Sequence, residues 1–366
     1  MGSKNILSKY DLFATVVVTV VGTSLFSYPR VLSEQIGTDG WFVAILSGLV
    51  IIPFIYILFK MTKVNDYRRL TEILEDNLGR ILGKIVTVYI ALAGIFIISI
   101  EMRTFIEVLK MYLLDKTPTE FILIITIIVG SFLCRGEMES VIKFNEIAFW
   151  IMFIPILITI PFVLVKADFT NVFPILNHTP IQYIQATKVS LYNFVGLGII
   201  YMALPFVKDK KDIFKVTTKS ILFIVGFYII IFLTTIFTFP SDYNSKLLWP
   251  TMTMLSTVDI QGTFIERWEG IVMIFWILFY FTTYVNILYF ASELIRDTFH
   301  FQDVKVSLPI LLPIIYIIAL YPQNIAEVYH IRSKIIPYID TMIVGLLPII
   351  LLITGLKNSR RSKHEV

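Results

Sequence analysis

The sequence holds one cysteine, Cys134, and four histidines, His178, His300, His330 and His364, among 366 residues. A single thiol excludes an intrachain disulfide framework and any multi-cysteine metal site, and the histidines lack short metal-ligand spacing. Charge is scarce as well: Asp, Glu, Lys and Arg make up 16% of the chain, against about 25% in soluble domains. No phosphate loop, dinucleotide glycine pattern or nucleophile elbow occurs, so enzymatic chemistry has no constellation to carry it. No metal or organic cofactor is expected.

What is abundant is apolar. Hydrophobic residues reach 57%, with 30 Phe and 18 Tyr, and the mean hydropathy is +0.80. A water-facing surface could not be built from the polar remainder, whereas aromatics suit lipid faces and interfacial belts. The composition predicts an all-α polytopic membrane protein, its partner the lipid bilayer rather than nucleic acid. The net charge of +4 then reports membrane orientation.

A helix needs about 20 apolar residues to cross the hydrocarbon layer. Ten such runs are read: Lys9–Pro29, Gly40–Phe59, Lys84–Lys110, Glu120–Cys134, Val141–Val165, Tyr183–Val207, Thr217–Phe239, Glu266–Ile295, Val306–Tyr321 and Ile336–Leu356. The fourth and ninth are short. The first is too long for a cleavable signal peptide and has no small-residue cleavage site. One membrane domain over 1–366 is expected, with five-helix halves at 9–165 and 183–356 and a basic tail at 357–366. Most of the 31 Lys and Arg fall on one side, in the segments Lys60–Lys84, Lys208–Lys219 and Lys357–Lys363 above all. By the positive-inside rule both termini are cytoplasmic.

Two spans carry interruptions. The first contains Gly22-Thr23-Ser24, followed by Pro29, inside a β-branched apolar run; the sixth contains Asn193-Phe194-Val195-Gly196-Leu197-Gly198. Glycine costs a helix about 1 kcal/mol per site. Spans one and six are the first members of the two halves, and an odd number of spans per half inverts the second half. Matched interruptions in inverted halves point to a midplane binding site. Close packing of neighbouring helices is the alternative use of such glycines.

The residues also resemble a known family. Val21-Gly22-Thr23-Ser24-Leu25-Phe26 with Pro29, Leu248-Trp249-Pro250-Thr251 with Phe264-Ile265-Glu266-Arg267 and Trp276, and Glu139-x-x-x-Lys143-x-x-Glu146 are similar to motifs of the spore-germination permeases. These are the B subunits of GerA-type germinant receptors, in the amino acid–polyamine–organocation superfamily. Phe105-Ile106 through Thr117-Pro118, Tyr321-Pro322 and Leu347-Pro348 extend the likeness along the chain. Lys143 stands where the family usually has Arg, and a lysine cannot make the same bidentate contacts. Glu269 stands where Asp is commoner. The resemblance implies the LeuT-type fold with helices 1 and 6 broken, residence in the inner membrane of a spore, partnership with A and C subunits, and sensing of a small nutrient, commonly an amino acid.

A zwitterionic ligand needs two poles. Freed N–H groups favour a carboxylate, and freed carbonyls favour an ammonium or a cation. The backbone at Gly22, Thr23 and Ser24 is expected to take one head group and that at Gly196, Leu197 and Gly198 the other. Phe194, Tyr201, Tyr280 and Thr283 are the side chains expected to set selectivity, with ordinary helix packing as the alternative. Glu101, Lys143, Glu146, Glu266 and Arg267 are candidates for a proton relay or gate. A structural charge cluster serves equally for Lys143 and Glu146, and snorkelling for Glu266 and Arg267; Arg103 and Glu107 are spaced for an i, i+4 ion pair. Three functions fit: a germinant sensor, an amino-acid permease coupled to H⁺ or Na⁺, and a scaffold with a vestigial pocket.

Overall fold

The computed structural model describes residues 7–22, 24–194, 196–258 and 268–364, the last without the side chains of 268–272 and 359–364. Thr23, Glu266 and Arg267 lie outside the described residues. The described residues are almost wholly helical. Seven helical stretches are long and apolar enough to span a membrane. They are joined by two shorter apolar helices, α6 (Thr119–Cys134) and α14 (Val304–Leu320).

Two helices occupy the stretch read as the first span. Helix α1 (Lys9–Val21) starts at a capping box in which Asp11 N–H donates to Ser8 Oγ (3.2 Å) and Ser8 N–H donates to Asp11 Oδ2 (2.8 Å). It stops at Gly22, whose φ of +27° L side chains rarely adopt. Helix α2 (Ser24–Ile36) follows and contains Pro29. Proline lacks the N–H that would bond the carbonyl four residues back. Here that carbonyl, Leu25, accepts instead from the Thr251 hydroxyl at 2.8 Å. Thr251 lies in α12 (Pro250–Ser256), which links the Trp-Pro-Thr motif to the first span.

After a turn at 37–39 come α3 (Gly40–Val64), the short amphipathic α4 (Leu70–Leu78), α5 (Arg80–Tyr112), α6 and α7 (Met138–Leu164). The buried Asp39 carboxylate holds the loop before α8 in place. It accepts from Leu176 N–H (2.6 Å), Asn177 N–H (3.1 Å) and Tyr183 Oη (2.7 Å), with His178 Nδ1 at 2.8 Å.

Next come α8 (Pro180–Leu191), a 3-10 turn at Tyr192–Phe194, and the short α9 (Ile199–Ala203). Then follow α10 (Ile213–Thr238), α11 (Ser241–Asn244), α12, α13 (Trp268–Phe299), α14, α15 (Ile325–Asp340) and α16 (Leu347–His364). The long helices α5 and α13 pack along each other at the centre, with α1 lying against α7, α10 and α13. Large apolar side chains face outward around the bundle, Phe132 at 78% exposure and Ile317 at 67% among them. This suits lipid contact and no aqueous surface.

The last span departs from the sequence reading, which began it at Ile336. The helical run begins at Ile325, and a π-helical stretch, Thr341–Leu346, joins α15 to α16. Glu327, His330, Arg332 and Lys334 lower the hydropathy of α15 below that of a span. Of these, His330 and Lys334 are exposed, and Arg332 is paired inside the protein, as described next.

Candidate functional site

The α8–α9 connection meets α1 about one turn before the first interruption. A Cβ on Gly196, which has φ of +97°, would meet Thr19 Cγ2 and the Thr19 carbonyl oxygen at 3.3 Å each. A Cβ on Gly22 would lie 2.7 Å from Thr283 Oγ1. The chain therefore bends where only hydrogen on Cα lets α1, α13 and the α8–α9 connection approach this closely.

Polar groups of α13 complete the seam. The last carbonyls of a helix have no partner within it. At the end of α1, Thr282 Oγ1 donates to the Val18 carbonyl (2.9 Å) and Thr283 Oγ1 to the Thr19 carbonyl (2.9 Å). Asn286 Nδ2 donates to Thr19 Oγ1 (2.8 Å), and Asn145 Nδ2 donates to Asn286 Oδ1 (2.8 Å) and Thr15 Oγ1 (3.1 Å). Helices α1, α7 and α13 are thus stitched by side chains rather than by shape alone. Among the described residues no three His, Cys, Asp or Glu side chains converge to hold a metal ion; the oxygens that do converge belong to hydroxyls and carbonyls.

Three cavities surround the interruptions. One of about 60 Å³ touches Gly196, Gly198 and Asp340 and is otherwise apolar. A second of about 260 Å³ is lined by Tyr192, Phe194, Leu197 and Asp340. A third of about 300 Å³ is lined by Ser27, Asn193, Tyr329 and Arg332. Arg332 Nε lies 3.1 Å from Glu101 Oε1, with both side chains nearly buried, and Arg332 Nη2 reaches Ser24 Oγ at 3.4 Å. The first turn of α2, the middle of α5 and α15 therefore meet at one ion pair.

The residues singled out from sequence fall in different places. Ser24, Gly196, Leu197, Gly198 and Phe194 border the cavities or the ion pair. Tyr201 is fully buried beside Gly198, and no described group bonds its hydroxyl. Thr283 lies on the seam. Tyr280 turns away from the cavities: its hydroxyl donates to the Ile98 carbonyl (2.9 Å) and its ring stacks on Phe105 at 4.7 Å. Lys143 and Glu146 pair at 2.9 Å on the exposed start of α7, beside Asp11 of α1. Asp11 lies roughly 16 Å along α1 from Gly22, at 1.5 Å per residue. Arg103 and Glu107 form the i, i+4 pair at 3.1 Å. The reading missed Arg332, Asp340, Thr282 and the Asn145–Asn286 pair. The only signal for the first two was charge at the edge of an apolar run.

Comparison with known proteins agrees along the chain. The family model described as "Spore germination protein" matches residues 6–328. The chain is 28% identical to spore germination protein A2 of Bacillus subtilis (strain 168), over 98% of each chain. It is 22% identical to spore germination protein GerLB of Bacillus cereus, over 100% of this chain and 98% of that one. Among solved structures it superposes on a Na⁺-coupled sialic acid symporter with a TM-score of 0.73 at 10% identity, covering 96% of this chain and 79% of that one. Mhp1, a nucleobase-cation-symport-1 transporter, gives 0.69 at 12% identity with the same coverage. The fold is that of LeuT-like transporters, and the chain, an integral membrane protein, belongs to the spore germination protein family.

Proposed function

We propose that this chain is the membrane subunit of a spore germinant receptor, binding a small nutrient, an amino acid, between the interrupted first and sixth spans. On this reading the elements form ten spans in a 5+5 inverted repeat. Helices α1 and α2 make the first span, and α8 and α9 the sixth. The protein sits in the spore inner membrane with both termini cytoplasmic and acts through A and C subunits. The observation that carries the reading is the approach of Gly196 to Thr19 of α1, one turn before Gly22, with a cavity opening beside Gly196 and Gly198. Ligand moves such a protein between states only by its differential affinity for them. Interruptions at which α1, α2 and α9 can pivot separately supply two arrangements to choose between.

An ion-coupled permease is the second reading. It is favoured by the seam itself, where two threonine hydroxyls and two main-chain carbonyls bring four oxygens together without a carboxylate. In that reading H⁺ or Na⁺ binding drives alternating access.

Binding and uptake of amino acids in proteoliposomes separate the readings, with wild type beside Gly198→Trp. Gly198 has an ordinary helical φ of −56°. A Cβ there would stand 3.7 Å from the Tyr201 hydroxyl and 3.9 Å from Ile343 Cγ2, so the indole fills the small cavity without straining the backbone. Saturable binding without uptake, lost in the tryptophan variant, is the sensor's result. Concentrative uptake driven by a pH or Na⁺ gradient replaces the sensor with the permease. Binding that survives the tryptophan refutes the site.

A further inference from the structure

A ligand ammonium must be met by acceptors, and four carbonyls at the interruptions are already engaged. The Val18 and Thr19 carbonyls take the hydroxyls of Thr282 and Thr283. The Gly196 and Leu197 carbonyls accept from the N–H groups of Ile199 (2.9 Å) and Ile200 (3.1 Å). Of the carboxylates nearby, Glu101 is held by Arg332 at 3.1 Å.

Asp340 is different. It borders both the 60 Å³ and the 260 Å³ cavities, next to Gly196 and Gly198 in the first and Leu197 in the second. It feels the charges of Glu101 and Arg332, yet no described residue donates a hydrogen bond to it or pairs with it. Lys188, which lines the larger cavity too, is exposed and makes no ion pair with it. Arg332 pairs with Glu101 alone, which leaves Asp340 without a countercharge in contact inside a membrane protein, where an uncompensated charge is expensive. Tyr201 adds a second unmet group: the residue is 2% exposed, and its hydroxyl, beside Gly198, has no partner among the described residues. Directly after Asp340 the helix becomes π-helical, a distortion frequent at functional sites.

We infer that Asp340 takes the positive charge of the nutrient, with the Tyr201 hydroxyl beside it, so that the site selects a small primary ammonium compound with a short apolar body. The size follows from the 60 Å³ cavity, room for a few waters, and the apolar body from its lining of Ile97, Ile199, Ile287 and Ile343. Neutral sugars and deaminated acids leave the charge deficit in place and are rejected. The inference rests on the nutrient-binding reading above and sharpens it.

The test uses the purified full chain in nanodiscs and the twenty L-amino acids as probes. For each one that binds, its decarboxylated amine and its 2-hydroxy acid are measured too. The amine is expected to bind and the 2-hydroxy acid to fail at a hundredfold higher concentration. Asp340→Asn is expected to weaken amino-acid binding by roughly thirtyfold or more, the scale for removing one member of a desolvated charge pair. Asp340→Glu should recover part of this, and Tyr201→Phe should cost roughly three- to tenfold. A 2-hydroxy acid binding as tightly as its parent overturns the inference, and this arm needs no variant to fold. So does Asp340→Asn binding within threefold of wild type while Gly198→Trp abolishes binding; in that case the site stands and only the role of Asp340 falls. A wild type that binds none of the twenty refutes the nutrient-binding reading, and the inference with it.

Discussion

Removing Arg332 should do more damage than removing its partner, and the reason lies in the surplus carboxylate. In Arg332→Met the Glu101 carboxylate stays buried with both oxygens unpaired, and Asp340 adds a like charge nearby. Breaking a buried pair from one side costs about 3–5 kcal/mol. In Glu101→Gln the guanidinium keeps Ser24 Oγ at 3.4 Å and gains undivided access to Asp340. The cost falls to about 1.5–3 kcal/mol, that of one hydrogen bond to a charged group. At about 2 °C per kcal/mol for a chain of this size, the unfolding midpoint should drop by roughly 6–10 °C in the first variant and 3–6 °C in the second. The assay is built into the chain: Cys134 is its one thiol and is buried, so a maleimide dye that fluoresces on reaction reports unfolding directly. The double variant Glu101→Gln/Arg332→Met removes the stranded charge along with its partner and should melt above Arg332→Met alone. Simple additivity in the double would show that Glu101 and Arg332 do not stabilise each other.

Two further perturbations probe the interruptions. Thr251→Val strands the Leu25 carbonyl that Pro29 cannot serve and should cost about 1–3 kcal/mol. Pro29→Ala in the same background restores an N–H at position 29 and should return part of that loss, read by the same thiol assay. Gly196→Ala should cost about 1–2 kcal/mol, because φ is +97° and Thr19 is already at 3.3 Å. Gly198→Ala should be neutral or stabilising by up to about 1 kcal/mol, since its backbone is helical and nothing stands within 3.7 Å. An equal penalty at both glycines would refute the conformational assignment.

How far the site could be read in advance depended on the range of the interactions that build it. Gly22 and Gly196 were legible because each acts on its own backbone: a glycine inside an apolar run is a local event, and the run on either side marks it. The exposed apolar girdle was legible for the same reason. Arg332 was not, since its meaning depends on Glu101, 231 positions earlier, and on a helix that brings the two to 3.1 Å. In the sequence it lowered the hydropathy of α15 and so moved the start of the last span to Ile336, leaving Asp340 as an ordinary charge in the first turn of that span. Thr282 and Thr283 read as two more polar residues in a long apolar helix until α1 ends beside them with carbonyls to satisfy. Tyr280 misled in the opposite sense, because the spacing that places Thr283 toward α1 places Tyr280 against Ile98 and Phe105.

The pattern has a physical cause that bears on where further residues of the site will be found. In water a lone charge on a helix face is explained by solvent and carries little information. Within a bilayer it must be paired, neutralised or matched by a ligand, so each charge that breaks an apolar run is a demand for a partner elsewhere in the chain. Glu101 and Arg332 answer each other. Asp340 has no partner among the described residues, and the nutrient's ammonium is the partner inferred for it.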